Sequence, residues 1–448
     1  MFFGLLKESI ERINSLEHFY NTELKSILSK SKKGMKKNNF GYTIDLYFQS
    51  ISRNSKMGLT DKQYKRLENY VNEHITIIEK EETEVKSKIA YQLKNVEKLK
   101  EKEQELSVKV AAEQFRMFAD MPIIHGSNTL IMLLTRFEEF ISDYIEQLYI
   151  MFPQRYLDSE SITFSEFSKT TSIDEIRRTI IDRQLDSIMR ASYTEWFKLF
   201  SSHGIKLDDF ADDMKKLAEI YARRNIWVHN SGRVNESYLK LVPTTTATKN
   251  EVLSVNEEYI RDAFATIKTI IVILMIKTSK LIKNNTEEYI QEIFIYLFGM
   301  LCNKEYSICE KAFSALSEAK ECNAQYQLMS KINYWICIIE ARGLQEVKKE
   351  IESLDVSALD EMFILAKLVL LEEYDRASLI IEQLLASKSI SASTLEEWPL
   401  FIKYRKSSQY SKIKEKHPGE FNITIVELPE VAANTAEENC PSNVIEIE

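Results

Sequence analysis

The sequence predicts an all-α protein, and three observations carry the prediction. Of 448 residues only 10 are Gly and 7 are Pro, well under the usual share of either, so the turn-rich connections of a sandwich, barrel or propeller are missing. Stretches such as Asp61 to Phe118 contain neither residue. Apolar residues return every three to four positions along much of the chain, the period of a helix with one buried face. With 44% hydrophobic and 28% charged residues the chain can bury a sizeable core, which excludes wholesale disorder. Its length suits two to four domains at about 100 to 200 residues each.

Taken in order, residues 1–60 form a basic helical segment with ten Lys/Arg against five Asp/Glu. Lys30, Lys32, Lys33, Lys36 and Lys37 surround Gly34 in an expected loop, readable as a solvated linker or as a phosphate-contacting flap. Residues 61–119 follow a seven-residue beat through Val71, Ile75, Ile78, Val85, Ile89, Val96, Leu99, Leu106 and Val110, which predicts a long helix or coiled-coil arm. Polar Glu82, Gln92 and Glu103 interrupt the seam. The arm either packs on its own chain or joins two copies.

The string MPIIHGSN, Met121 to Asn128, supplies Pro, Gly and polar capping residues and places a domain boundary there. Residues 120–284 then read as a four-helix bundle: Thr129–Phe152, Ile173–Phe200, Leu207–Asn230 and Glu257–Lys283. Residues 285–416 change to shorter helices. EYSICEKAFSAL at Glu305 and EYDRASLIIEQLL at Glu373 lie 68 residues apart, twice the period of paired-helix repeats of about 34 residues, so this part resembles a tetratricopeptide-like α-solenoid. Residues 417–448 form an acidic tail with seven Glu and no Lys or Arg beyond His417, a composition that favours disorder.

The net charge of −9 gives no global attraction to nucleic acid or an anionic membrane, so any polyanion site must be local. The start MFFGLLKESI lacks a basic leader, and the longest apolar run, Ile270 to Ile276, is fenced by Lys268 and Lys277, far short of the roughly 20 residues that span a bilayer. A soluble, cytoplasmic protein is expected. Five cysteines without a C-x-x-C pair suit buried thiols in a reducing compartment. No histidine pair has metal-ligand spacing, and no phosphate-binding, dinucleotide-binding or nucleophile-elbow motif occurs; no metal or cofactor is expected.

The informative string is ARRNIWVHNSGRVNESYL, Ala222 to Leu239. Asn230, Ser231 and Gly232 read as a helix C-terminal cap. Arg224, Asn225 and His229 form R-N-x-x-x-H, with Asn225 and His229 one turn apart and Arg224 displaced from His229 by about 140° on an ideal helix. A distorted last turn, or two copies meeting, would bring both to one phosphate. Metal-free RNA cleavage needs a base for the 2′-hydroxyl proton, an acid for the 5′-oxygen and positive charge at phosphorus. His supplies the proton roles near neutral pH and Arg clamps phosphate oxygens. The helix C-terminus favours charged His. Trp196 and Trp227 read as core residues, or as platforms for bases.

This string resembles the signature helix of HEPN-superfamily ribonucleases, especially domains of bacterial abortive-infection and toxin proteins, over roughly residues 120–284. The resemblance implies a metal-independent endoribonuclease, a toxin or antiviral effector leaving 2′,3′-cyclic phosphate and 5′-hydroxyl ends in a cleft between two copies. Arg224, Asn225 and His229 would be its catalytic set. Glu138, Glu139 and Asp143 of the first bundle helix would support it, as would Tyr238 on the returning loop. Arg223, Lys32, Lys33, Lys36 and Lys37 are the expected RNA contacts. Relatives controlled by a nucleotidyltransferase carry Tyr two residues past the His, where this chain has Ser231. Expected partners are RNA, a second or further copy of the chain, and a protein regulator or trigger on the solenoid. The alternative is a non-catalytic adaptor whose bundle dimerises to present the solenoid.

Overall fold

In a computed structural model of the chain, the described residues are 2–35, 47–48, 50–51, 61–82, 87–93, 103–157 and 160–421, less the side chains at 30–35, 63, 74, 77–82, 87–93 and 103–120. They are mostly helical and divide into two units, Met1–Cys337 and Ile338–Glu448.

In the first unit, helix α1 (Phe2–Met35) places Leu6, Ile10, Ile13, Leu16, Tyr20 and Leu24 in the core, at spacings of three and four that make one apolar face. The expected loop around Gly34 is instead the end of this helix. Lys36 and Lys37 lie outside the described residues, as do the side chains of Lys32 and Lys33.

The predicted arm is not one helix. Helix α2 (Asp61–His74) gives way to strands β1 (Ile75–Glu82) and β2 (Ser87–Leu93). They pair antiparallel with Ile75 opposite Leu93 and a bulge between Ile77 and Glu79. The physical reason is local: Ile75, Thr76, Ile77 and Ile78 are four consecutive β-branched residues, which favour a strand over a helix. Val85, Val96 and Leu99 of the predicted seam fall outside the described residues.

Helix α3 (Glu103–Met151) runs straight through the expected boundary at Met121–Asn128, including Pro122. Gly126 there is not a break but a close approach: a Cβ on it would lie 2.2 Å from the Val255 carbonyl oxygen. The connection before the last bundle helix therefore rests directly on α3. Leu133, Leu134, Phe137, Ile141, Tyr144, Ile145 and Leu148 are buried along its C-terminal half.

Helices α4 (Ile173–Met189), α5 (Tyr193–Ser202), α6 (Ala211–Asn230) and α7 (Glu257–Thr278) follow. The expected helix Ile173–Phe200 is thus split by a turn at Arg190–Ser192. α7 is the centre of the unit, packing against α1, α3 and α6, and every residue from Thr266 to Ile276 is buried. One of these is Lys268, whose Nζ meets Glu17 of α1 at 2.7 Å and Glu305 at 3.1 Å. A buried ammonium is tolerated only when paired in this way. α1 is therefore part of the bundle core and not a separate segment.

Helices α8 (Thr286–Cys302) and α9 (Tyr306–Ser317) form a hairpin. The second unit contains a similar one, α10 (Glu361–Leu370) with α11 (Tyr374–Ala386), followed by α12 (Ser408–Lys416) on α11. The two turns match in detail. Lys304 and Glu372 are left-handed at φ 65° and 63°, and the next residue's N–H returns to a carbonyl five residues back, Glu305 to Met300 and Glu373 to Leu368. The two strings 68 residues apart in the sequence are these two turns. The acidic tail from residue 422 onward lies outside the described residues. Among the described residues no helix is long and apolar enough to cross a membrane.

Candidate active site

The motif helix α6 begins with Asp212 and Asp213 and carries His229 in its last turn, charges that suit the two ends of its dipole. It remains regular to Asn230 and ends as its cap residues predict: Ser231 and Gly232 take φ of 50° and 76°, and the Gly232 N–H closes onto the Ile226 carbonyl at 3.0 Å. Gly232 lies flat on the Trp227 indole, where a Cβ would stand 2.7 Å from the ring. Trp227 Nε1 donates to the Leu253 carbonyl at 3.1 Å, and Trp196 is buried with its Nε1 donating to the Ile188 carbonyl at 2.8 Å. Both indoles are structural anchors.

One side of α6 holds the loop of residues 231–256. Arg233 bridges Val252, and a short helix, Glu236–Leu241, is capped by the Asn235 side chain. The Glu219 carboxylate gathers the pieces. It accepts from Tyr238 Oη at 2.8 Å, Tyr259 Oη at 2.7 Å and Arg223 Nε at 2.7 Å. Arg223 also donates to the Ser254 carbonyl at 2.7 Å and lies 4.1 Å from the Tyr259 ring centre. Burial first, and then the Glu219 charge, push the Tyr238 hydroxyl up to about 12 and the Tyr259 hydroxyl well above its ordinary value. Burial opposes the Arg223 charge, yet Tyr259 and Glu219 outweigh it and hold the guanidinium above its usual pKa. Arg223 and Tyr238, expected as an RNA contact and a site support, are thus committed to fastening this loop.

The other side carries the motif. Arg224 Nη2 donates to Glu138 Oε1 of α3 at 2.9 Å, and its guanidinium sits 5.6 Å from the centre of Tyr221. Tyr221 in turn stacks on Tyr193 of α5 at 4.6 Å. The Arg224 Nε is buried without a hydrogen-bond partner. Asn225 and His229 are exposed, and neither engages another described side chain.

Of the three acids expected as supports, Glu138 alone reaches the motif. Glu139 pairs with Arg136 at 2.7 Å and stands 4.0 Å from Arg12. Asp143 lies among Glu146, Arg12, Glu8 and Glu139, and burial first, with Glu146 next, raises its carboxyl above the usual range. The sequence reading missed Tyr221, Tyr193, Glu219 and Tyr259. Tyr221 and Glu219 precede the two arginines by three and four residues, the spacing at which helix side chains meet, and that signal was available.

Because α6 is regular through Asn230, Arg224 and His229 stay about 140° apart. One chain therefore presents a held arginine beside α3 and, on the adjoining exposed face, an amide and an imidazole. Among the described residues no group of His, Cys, Asp and Glu is placed to hold a metal ion. Comparison with family models, with curated proteins and with solved structures returns no match.

Proposed function

We propose that the protein is a metal-independent endoribonuclease of the HEPN type, acting as a toxin or antiviral effector. The observation that carries this reading is the end of α6: His229 and Asn225 are exposed and unengaged at an intact helix terminus, one turn from an arginine fixed by Glu138. In the proposed reaction an imidazole takes the 2′-hydroxyl proton, the 2′-oxygen attacks phosphorus, and the bond from phosphorus to the 5′-oxygen breaks. A protonated imidazole then supplies that oxygen's proton, giving 2′,3′-cyclic phosphate and 5′-hydroxyl ends. Arg224 spreads its charge over the phosphorane, and the buried Nε offers a donor that no protein group uses.

Since one regular helix keeps Arg224 and His229 on different faces, the competent site combines two copies. The matched helical hairpins belong, on this reading, to a tetratricopeptide-like solenoid that binds a protein regulator or trigger. The ion pair of Arg224 with Glu138 favours a second reading, the non-catalytic adaptor, because it gives the arginine a purely structural use. Incubating cellular RNA with wild type and His229→Ala in EDTA, and identifying product ends, separates the two. Cyclic-phosphate ends from wild type alone support the nuclease; identical RNA profiles from both, in the presence of a binding partner, support the adaptor.

A further inference from the structure

Helix α3 leaves one strip of its surface bare. Met121, Ile124 and Met132 are 38%, 53% and 46% exposed, and Asn128 and Thr135 between and beyond them are exposed as well. Their spacings of three, four, four and three put all five on one side of the helix. Farther along the same side the chain covers itself, with Glu139 facing Arg12 and Arg136 and Glu146 paired to Arg178. The strip broadens across α1 through Phe19, which is 55% exposed and packs edge-on to His125 at 6.2 Å. A contiguous apolar surface of this kind marks an interaction site.

We infer that this strip is a self-association surface on which a second copy of the chain lies antiparallel about a two-fold axis at Asn128. The pattern is complementary to itself in that orientation: Met132 of each copy meets Ile124 of the other, Thr135 meets Met121, and Asn128 meets its own mate. An isologous contact has this reciprocal form, and a single polar residue in an apolar seam fixes register. Asn128 also lies one residue from Ser127, the midpoint of Glu103–Met151, so the two helices overlap along their whole length. The bare strip alone spans only about 22 Å, little for the roughly 1,000 Å² that a stable interface buries. The backbone of residues 103–120 adds a further ~27 Å of helix from each copy beside the other, which brings the contact to that size. The axis sets the two Glu138 residues about 30 Å apart along the helices, so this surface is separate from any cleft at His229 and does not rest on the nuclease reading.

The test combines light scattering with directed cross-linking of the full chain at micromolar concentration. Wild type is expected to be at least dimeric. Ile124→Glu with Met132→Glu should weaken the association at least about tenfold while leaving the melting temperature unchanged, because both residues are exposed. Asn128→Cys should cross-link to itself under mild oxidation, and Ile124→Cys should cross-link to Met132→Cys in a mixture but not to itself. A monomeric wild type overturns the proposal, and so does an oligomer indifferent to the glutamates or one that cross-links only in another register.

Discussion

Gly232→Ala puts a side chain where the end of α6 has no space for one. Two terms add. The backbone at φ 76° is left-handed, and a residue with a Cβ is disfavoured there by about 1–2 kcal/mol. The new methyl would also stand 2.7 and 2.8 Å from two indole carbons of Trp227, so the ring must shift by roughly 0.7 Å to reach normal contact near 3.5 Å. That shift strains the bond from Trp227 Nε1 to the Leu253 carbonyl, worth about 0.5–1.5 kcal/mol. The expected total loss is ~2–4 kcal/mol, adding the two. Gly204→Ala is the control: its φ is 94° but the nearest atom, Arg155 Nη2, lies 3.7 Å away, so only the backbone term applies. Urea unfolding followed by tryptophan fluorescence and circular dichroism measures both variants. Equal losses, or a loss for Gly232→Ala below about 0.5 kcal/mol, would refute the claim that the loop is seated through this contact.

Three further predictions concern charged groups. Glu219→Gln removes the charge that binds Arg223, Tyr238 and Tyr259; it should lower unfolding free energy by about 3 kcal/mol and expose the 231–256 loop to protease. Lys268→Met leaves Glu17 and Glu305 facing each other and should cost ~2–4 kcal/mol, most of it recovered in a triple variant with Glu17→Leu and Glu305→Leu, as read by denaturant titration. Asp143 has a folded-state pKa above its ordinary value, so the native state holds its proton more tightly than the unfolded chain, and stability falls as pH rises from 3.8 through the raised value. Asp143→Asn should therefore melt higher than wild type at neutral pH, with the difference vanishing below that window; a variant that melts lower at neutral pH would contradict the assigned cause.

The helical class was legible because scarce Gly and Pro and the three-to-four-residue apolar period are direct consequences of helix geometry. The cap at Ser231 and Gly232 was legible for the same reason, since left-handed φ selects such residues. The hairpin at residues 75–93 was not. Its isoleucines also satisfy a seven-residue beat, and only the local run Ile75–Ile78 tells strand from helix. MPIIHGSN misled because Gly126 is required by a tertiary contact with Val255, and sequence punctuation cannot distinguish that from a break. At the site the motif string located Arg224 and His229, but which acid would hold the arginine depended on helix rotation: Glu138 and Glu139 are neighbours in sequence, and one meets Arg224 while the other meets Arg136.

The central claim is that His229 is a proton-transferring group in RNA cleavage and not a helix-end fixture. It is tested most directly by cleavage rates of a defined RNA oligonucleotide in EDTA, for wild type, His229→Ala and Arg224→Ala, each verified to melt as wild type. The account predicts a loss of about 10²–10⁴ for His229→Ala, a comparable loss for Arg224→Ala, and no cleavage when the nucleotide at the cut site lacks its 2′-hydroxyl. Wild-type rates from His229→Ala, or cleavage of the 2′-deoxy substrate, would contradict it.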